Sequence, residues 1–278
     1  MTRLSEIGEL GLLADLEARG LITGVEHDAA LLADGLVVTQ DALVENVHFR
    51  LDWIDWRSLG FRAAAVNLSD LAASGAQPDA LLVTLAVPGT TALADVVDFY
   101  EGLAEAGVPV LGGDTTSSEA VVISVTAVGR SERVPGRAGA RPGDLLIVTG
   151  PLGAAGAAFR ARRHAPPPLR LEEGRRLART AHALMDISDG LAVDAGHIAR
   201  RSGVRCVVEL DAVPLAAGAT IDDIGFGEDF ELLAAVDDPR AGHSEPGFAV
   251  VGRVEAGDGV VTLRNREPYE LRGWEHFI

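Results

Sequence analysis

The stretch FRAAAVNLSDLAASG, residues 61–75, is rich in alanine and free of proline, and both features favour a helix. Gly75 closes the pattern and Pro78 follows shortly, as is typical of a helix carboxyl terminus. Directly afterwards, ALLVTLAVP at 80–88 is a nearly continuous apolar run that predicts a strand. The chain therefore passes from helix to strand here, which is the step from which α/β proteins are built.

The same alternation continues on both sides of this pair. LADGLVVTQD at 32–41 predicts a strand that ends at Asp41, and VPVLGGD and AVVISVTAVGR predict two further strands. Between them TTALADVVDFYEGLAEAG, residues 90–107, predicts an amphipathic helix. Its predicted apolar face comprises Leu93, Val96, Val97, Tyr100 and Leu103.

A Gly-, Pro- and Arg-rich segment, RVPGRAGARPGD at 133–144, predicts a domain boundary. We expect a first domain of residues 1–136 and a second of residues 137–278. The second begins with the strand LLIVTG and a glycine-rich turn leading into a helix. Further helices are predicted before ALMD and from about Gly190, and strands near 205–210, 229–236 and 248–254. The whole pattern indicates an α/β or α+β protein.

The amino-acid composition and net charge of the chain exclude some classes of function. Hydrophobic residues make up 47% and charged residues 23% of the 278 residues, which predicts a folded globular chain. The formal net charge of −17 argues against nucleic-acid and membrane partners. Cys206 is the single cysteine, so no internal disulfide forms, and we found neither a signal pattern nor an apolar run of ~20 residues. We therefore expect a soluble, cytoplasmic protein.

The chain contains no lysine, so all 24 residues counted as Lys+Arg are arginines. This excludes a Schiff-base lysine, a pyridoxal-phosphate anchor and the lysine of a GxxxxGK[ST] loop. A phosphate-handling site in this chain would have to use metal ions, arginine and backbone N–H groups.

Aspartates follow the predicted strands. Asp41 follows LVVTQ, Asp114 follows VPVLGG, and Asp186 follows ALM, with Asp189 three residues further on. Ligand sites of open α/β sheets lie at strand ends, and converging carboxylates repel one another unless cations lie between them. Such hard oxygen ligands suit Mg²⁺. The alternative for each aspartate, Asp189 above all, is a helix N-cap or turn residue.

A second group of candidate ligands is GVEHDAALL at 24–32, where Glu26, His27 and Asp28 stand in a row before an apolar run. These residues are typical of either an active-site edge or an ordinary polar turn.

Taken together, the motifs resemble the thiamine-monophosphate kinase family of the aminoimidazole ribonucleotide synthetase superfamily. The resemblance runs from GVEHDAALL to GWEHF and covers nearly the whole chain. It rests on TQDALVENVHF, NLSDLAASGAQP, LGGDTTSS, RAGARPGD, MDISDGL and GFGEDFELL.

This resemblance implies transfer of the γ-phosphoryl group of ATP to thiamine monophosphate, with Mg²⁺ and without a protein nucleophile. It also implies a two-domain fold in which the N-terminal sheet pairs with that of a second subunit and a C-terminal α/β domain closes over ATP. A homodimer is therefore expected from the resemblance alone.

The resemblance also implies roles for individual residues. The implied metal ligands are Asp28, Thr39, Asp41, Asp70, Asp114, Asp186 and Asp189. The implied ATP-binding residues are Gly113, Asp114, Arg137 and Ser188. The implied substrate-binding residues are His48, Glu228 and Trp274. The alternatives are a solvated arginine for Arg137, a packed side chain for His48 and a hydrophobic plug for Trp274.

Three departures from the family pattern bear on activity. GxGDDAA reads GVEHDAA here, TTD or STD reads TQD with Gln40, and GGGED reads GFGED with Phe226. His27 is a poorer Mg²⁺ ligand than aspartate. Two alternatives to the kinase therefore stay open: another ATP-using enzyme of the superfamily, and a non-catalytic homologue that binds nucleotide or thiamine phosphates.

Overall fold

The computed structural model describes residues 3–23, 27–237 and 248–274. The first half contains α1 (Leu4–Ala18), β1 (Ala30–Leu31), β2 (Leu36–Val44), α2 (Trp56–Ala73), β3 (Gln77–Val87), α3 (Leu93–Glu105), β4 (Val110–Ser117) and β5 (Val122–Arg130). The second contains β6 (Leu145–Val148), α4 (Ala154–Arg160), α5 (Leu171–Leu177), β7 (Ala183–Asp186), α6 (Leu191–Ser202), β8 (Arg205–Glu209), β9 (Leu232–Val236), β10 (Ala249–Glu255), β11 (Gly259–Arg264) and β12 (Glu267–Pro268).

The first sheet has five strands in the order β1-β2-β5-β3-β4. Only the β3–β4 pair is parallel, and the other pairs are antiparallel. Side chains alternate strictly along β5, where Ile123, Val125 and Ala127 are buried beneath the helices. The residues between them lie on the opposite face, which we call the outer face. There Leu82 of β3 is 42% exposed.

Helix α2 begins at Trp56, five residues before the predicted stretch, because Asp55 caps it by accepting the Ser58 N–H at 2.7 Å. The helix packs against the first sheet, α3, α5 and strand β7 of the second sheet. It is therefore buried on nearly every side, which explains why its sequence is alanine-rich and has no clear polar face. Its residues consequently reach both halves of the molecule.

The predicted apolar face of α3 is partly wrong. Leu93 and Val97 are 78% and 47% exposed, whereas Phe99, Gly102 and Leu103 are buried. The glycine decides which side packs, since a Cβ at Gly102 would lie 1.8 Å from the Arg57 carbonyl oxygen of α2. A close helix–helix contact, which an apolar pattern does not reveal, therefore rotates the buried face away from Leu93.

The second sheet has seven strands in the order β12-β11-β8-β10-β6-β9-β7. Only the β8–β11 pair is parallel. Helix α6 packs against β7, β8, β9 and β11, and its buried residues include Leu191, Ala195 and Ile198. Strands β11 and β12 extend the sheet beyond the predicted elements.

Each sheet has its own hydrophobic core, and a third cluster joins them. In that cluster Ala72 and Ala73 of α2 meet residues of both α5 and the second sheet. Residues 131–144 contain no helix or strand, and the domain limits at 136 and 137 stay a prediction. The predicted α/β class with two halves is confirmed. Among the described residues no helix has the length and apolarity to cross a membrane.

Candidate active site

A cavity of about 610 Å³ lies between the two halves. The first half contributes side chains from β2, the following loop and α2, and the second contributes the ends of β7 and α4 and the loop before β9. Aspartates line part of the wall, and the aromatic residues Trp53, Phe159, Phe226 and Trp274 line another part. The cavity thus offers ligands for cations and a surface for a flat ring.

Five of the predicted aspartates line this cavity, and besides Asp189 they are Asp28, Asp41, Asp70 and Asp186. Only Asp186 ends a strand, so the expectation that Asp41 does so is wrong: β2 continues to Val44. Asp41 reaches the site because alternation along β2 turns its side chain towards α2 together with that of Thr39. Asp70 comes from α2 itself. We call these four residues the aspartate cluster.

Polar contacts hold the cluster in place. The Thr39 hydroxyl donates to Asp70 Oδ2, and the Ser69 hydroxyl donates to Asp186 Oδ2 at 2.6 Å. The Asn67 side-chain oxygen accepts the backbone N–H of Asp41 at 3.0 Å. Asn67, Ser69 and Asp70 all belong to NLSD, so one turn of α2 organises the site.

Arg137 is the cation of this end of the cavity. Its Nε and Nη2 atoms donate to Asp28 Oδ1 at 2.8 and 2.7 Å. The guanidinium side chain is only 24% exposed, which is evidence against the alternative of a solvated linker arginine. Arg137 thus partly neutralises a buried carboxylate at a position bordering the cavity.

Burial dominates the electrostatics of the cluster. It raises the pKa of Asp186 to about 8 and the pKa of Asp41 to about 6, and the neighbouring Asp28 charge adds to both. The pKa of Asp70 lies well above its usual value because of burial and then the Asp41 charge. Burial also raises the pKa of Asp28, while Arg137 opposes this. Such mutually repelling oxygen ligands fit a divalent cation such as Mg²⁺.

Asp189 lines the cavity beside the cluster, and sequence analysis missed its neighbours Asp194 and His197. Each of the three offers a ligand atom within 4.8 Å of the others. Asp194 is buried and accepts the Asp189 N–H through Oδ2 at 3.2 Å. The sequence did contain a signal, which was spacing. Asp194 and His197 are three residues apart and therefore lie on the same face of α6, and Asp189 comes just before this helix. Asp194 therefore supports the segment that carries Asp189.

The predicted substrate-binding residues also line the cavity. His48 Nδ1 accepts the Val44 N–H at 3.0 Å, so the proton of the neutral ring lies on Nε2. Glu228 forms an ion pair with Arg62 of α2, whose side chain is 2% exposed. Trp274 is 46% exposed, which is evidence against a buried plug. Sequence analysis missed Arg62, although an arginine within an apolar helix segment is itself a signal.

Aromatic rings from both halves meet at the cavity wall. The centroid of Phe159 lies 5.4 Å from that of Trp53, edge to face, and 4.9 Å from that of Phe226. The Arg50 guanidinium lies 5.0 Å from the Trp53 ring centroid. Phe226, which stands at a glycine position of the family motif, thus extends an aromatic wall.

Gly113 and Asp114 lie apart from the cavity of their own chain. They belong to β4, the edge strand of the first sheet, and three strand spacings, about 14 Å, separate β4 from β2. Asp114 pairs with Thr84 on the outer face. Gly113, at φ +149°, approaches β3 so closely that a Cβ would lie 1.8 Å from the Val83 oxygen. Strand pairing therefore explains Gly113 without a nucleotide.

The departures from the motif fall in different places. Gln40 points to the outer face, where its Nε2 donates to Ser124 Oγ at 2.8 Å, so it stands outside the aspartate cluster. His27 lies beside Asp28 and has a buried Nδ1 without a hydrogen-bond partner among the described residues. Glu26 lies outside the described residues.

Comparisons with known proteins bear on this geometry. The model of the AIR synthase related protein N-terminal domain matches residues 26–131, and that of the C-terminal domain matches residues 141–264. Thiamine-monophosphate kinase of Aquifex aeolicus is 34% identical over 99% of this chain and 100% of its own length. The chain belongs to the thiamine-monophosphate kinase family. The predicted resemblance is thereby confirmed.

Other relatives agree with this membership. The thiamine-monophosphate kinase of Mycobacterium tuberculosis (strain ATCC 25618 / H37Rv) is 33% identical over 99% of this chain and 93% of its own length. The structure described as AaThiL complexed with AMPPCP and TMP has a TM-score of 0.90 and 34% identity, covering 99% of both chains. The hydrogenase maturation protein HypE in complex with ATP, at 21% identity and a TM-score of 0.70, covers 99% of both chains and shares the fold.

Proposed function

We propose that the chain transfers the γ-phosphoryl group of ATP to thiamine monophosphate, giving thiamine diphosphate and ADP by direct in-line displacement. The observation that carries the proposal is a single cavity that joins an aspartate cluster to an aromatic wall, in a member of this kinase family. A related structure holds AMPPCP and TMP together, which supports a site for nucleotide and substrate side by side. The described cavity presents no lysine, and none exists in the chain.

In this mechanism the aspartate cluster, with Thr39 and Asp189, would hold Mg²⁺. When bound, Mg²⁺ supplies neutralisation of charge on the phosphate oxygens. The chain itself supplies position, because the NLSD segment of α2 carries Asp70 and its Ser69 hydroxyl donates to Asp186. The accepting phosphate of the substrate is already an anion, so the reaction needs no protein nucleophile.

Arg137 and Ser188 would bind the nucleotide beside the cluster. Arg137 has a planar donor fork suited to phosphate, and it borders the cavity through its contact with Asp28. His48, Glu228 and Trp274 would bind the thiamine moiety, whose cationic ring suits an aromatic partner such as Trp274. In this proposal the phosphate of the substrate would point towards the metal ligands.

We also propose a homodimer in which the outer faces of two first sheets pack together. Leu82 is 42% and Leu111 72% exposed in the isolated chain, and every residue of β4 after Val110 is exposed. Asp114 lies on that face, apart from the cavity of its own chain. A second copy would therefore bring Gly113 and Asp114 to the neighbouring cavity, where the predicted contacts with metal and ATP become possible.

The first test is incubation of the purified chain with ATP, thiamine monophosphate and Mg²⁺, with the products identified by chromatography. We expect equal amounts of ADP and thiamine diphosphate, and no product when Mg²⁺ is chelated. Asp70→Asn is expected to lower turnover by at least about 100-fold, because it removes one cluster charge. Asp98→Asn, on the exposed side of α3, is the matched control and should keep wild-type turnover.

Each contrary result has a distinct meaning. ATP binding without detectable binding of thiamine monophosphate would favour another ATP-using enzyme of the superfamily. Binding of both ligands without Mg²⁺-dependent turnover would favour a non-catalytic homologue. A phosphorylated or otherwise covalent enzyme intermediate would contradict the direct transfer.

A further inference from the structure

Arg62 joins the two residues predicted to contact the substrate. Its Nη2 atom donates to the Glu228 carboxylate from one half of the molecule and lies 3.5 Å from the backbone oxygen of His48 in the other. The arginine side chain is 2% exposed, whereas that of Glu228 is 24% exposed and lines the cavity. A buried guanidinium thus stands behind an accessible carboxylate.

The backbone of Glu228 is held in a conformation that non-glycine residues rarely adopt. Its φ is +57°, and those of Gly227 and Phe230 are +83° and +51°. Hydrogen bonds fix the segment, because the Glu228 N–H donates to the Ser188 oxygen at 2.7 Å and the Phe230 N–H to the Ile187 oxygen at 2.9 Å. Such strain is typical of a residue whose position matters for a ligand.

The buried charge of Arg62 has few partners. Its Nε atom is buried and makes no hydrogen bond within the described residues. Glu228 is therefore its compensating charge, and the pairing draws one carboxylate oxygen, Oε1, onto α2. The other oxygen, Oε2, accepts no hydrogen bond from the described part of the chain and remains for a ligand donor.

We propose that Arg62 is a positioning residue for thiamine recognition, which fixes Glu228 so that Glu228 Oε2 accepts a hydrogen bond from the amino-substituted ring of the substrate. The inference rests on the proposed function and adds to it a residue that bears on the substrate and not on ATP. Arg62 borders the cavity, but its side chain is 2% exposed and its Nη2 atom is directed at Glu228, so we expect it to act through Glu228.

The test is a double-mutant cycle with Arg62→Gln, Glu228→Gln and the double variant. We expect each single change to raise KM for thiamine monophosphate by roughly 10- to 100-fold, as expected when a hydrogen bond to a charged group is lost. KM for ATP should stay within about twofold and kcat within about tenfold. The double variant should be no worse than Glu228→Gln alone, because Arg62 then has nothing left to position.

Arg57→Gln is the matched control. Arg57 lies on the same helix and pairs with Glu101 and Glu105, but it is 51% exposed and lies outside the cavity lining. It should leave both KM values unchanged. If Arg62→Gln fails to fold, Arg62→Lys keeps the buried charge and loses the planar fork, and a several-fold rise in KM for thiamine monophosphate alone is expected.

Two results would overturn the inference: an equal rise of KM for ATP, or losses that multiply in the double variant. Either would show that Arg62 acts on general stability or independently of Glu228. If the wild type produces no thiamine diphosphate, the proposed function fails instead, and the same cycle is then measured by calorimetric binding of thiamine monophosphate.

Discussion

At the scale of single residues, His164 shows how the cavity wall controls protonation. It lines the cavity with its ring centroid 6.2 Å from that of Trp53, and its Nε2 atom is buried without a hydrogen-bond partner in the described ranges. Burial, together with the nearby Arg62 charge, lowers its pKa to about 4. The folded protein therefore holds this imidazole neutral at a pH where an unfolded chain would protonate it.

This difference predicts a pH-dependent stability. Because the folded pKa is about 4 and the unfolded one about 6.5, the unfolded chain binds more protons between these values. The contribution of the neutral His164 to the free energy of unfolding is present above pH ~6.5 and is lost as the pH falls through ~4. Urea unfolding should show the wild type losing on the order of 1–2 kcal/mol relative to His164→Gln between pH 6.5 and 4.5. Parallel curves for the two proteins would contradict this.

Several residues of the cavity were predicted from the sequence, and others were missed. The motif positions brought Asp28, Asp41, Asp70, Asp186 and Asp189 to one cavity, as the carboxylate pattern indicated. Arg62 and Asp194 were missed because a charged residue within an apolar helix segment signals a buried charge but does not identify its partner. Its partner lies across the fold, 166 positions away for the Arg62–Glu228 pair.

At the scale of elements, α2 and α3 cross at two glycines. A Cβ at Gly60 would lie 1.9 Å from the Phe99 oxygen, and one at Gly102 would lie 1.8 Å from the Arg57 oxygen. Both neighbours are helix backbone, which cannot move as a flexible side chain can. The contact holds α2, and with it NLSD and Arg62, against the first half of the molecule.

Gly60→Ala should therefore destabilise the protein, although alanine favours helices by about 1 kcal/mol over glycine. Overpacking against backbone costs typically 1–3 kcal/mol or more, so we expect the clash to exceed the gain in propensity. Thermal unfolding should show a lower Tm. Gly89→Ala, where a Cβ meets nothing within 4 Å, is the control and should unfold as the wild type does. A stabilised Gly60→Ala variant would show that the helices separate readily.

Most helices and strands were predicted correctly from the local sequence pattern. Where the prediction and the structure differ, the cause is tertiary packing or strand pairing. The central strands β3, β5, β6 and β8 matched apolar runs because both periodicity and burial act on them. Strands β11 and β12 were missed because β12 is an edge strand of two residues and the half-buried residues of β11 show no alternation between buried and exposed positions. Asp41 was placed at a strand end because polar residues followed the run, yet pairing with β5 continues to Val44.

At the scale of the whole molecule, one face of the first sheet lacks a cover within the described chain. Leu82, Thr84 and Asp114 share this outer face, while the helices cover the opposite one. Antiparallel sheets tolerate one solvated face, but exposed leucines on it favour a protein partner. A symmetric dimer through this face would bury the leucines of both copies at once.

Mixed dimers test this assembly and the placement of Asp114 together. Asp114→Asn and Asp186→Asn should each lower turnover by at least about 100-fold on their own. If Asp114 serves the partner's cavity, a mixed dimer of the two variants contains one site in which both aspartates are intact. After unfolding and refolding of an equal mixture, half of the dimers are mixed, and turnover should recover to roughly a quarter of the wild-type value.

Asp41→Asn mixed with Asp186→Asn is the matched control, because these two residues line the same cavity and every site in the mixed dimer keeps a defect. Recovery in the control as well would show that subunit exchange is not the cause, and no recovery in the test pair would place Asp114 in the site of its own chain or outside the reaction.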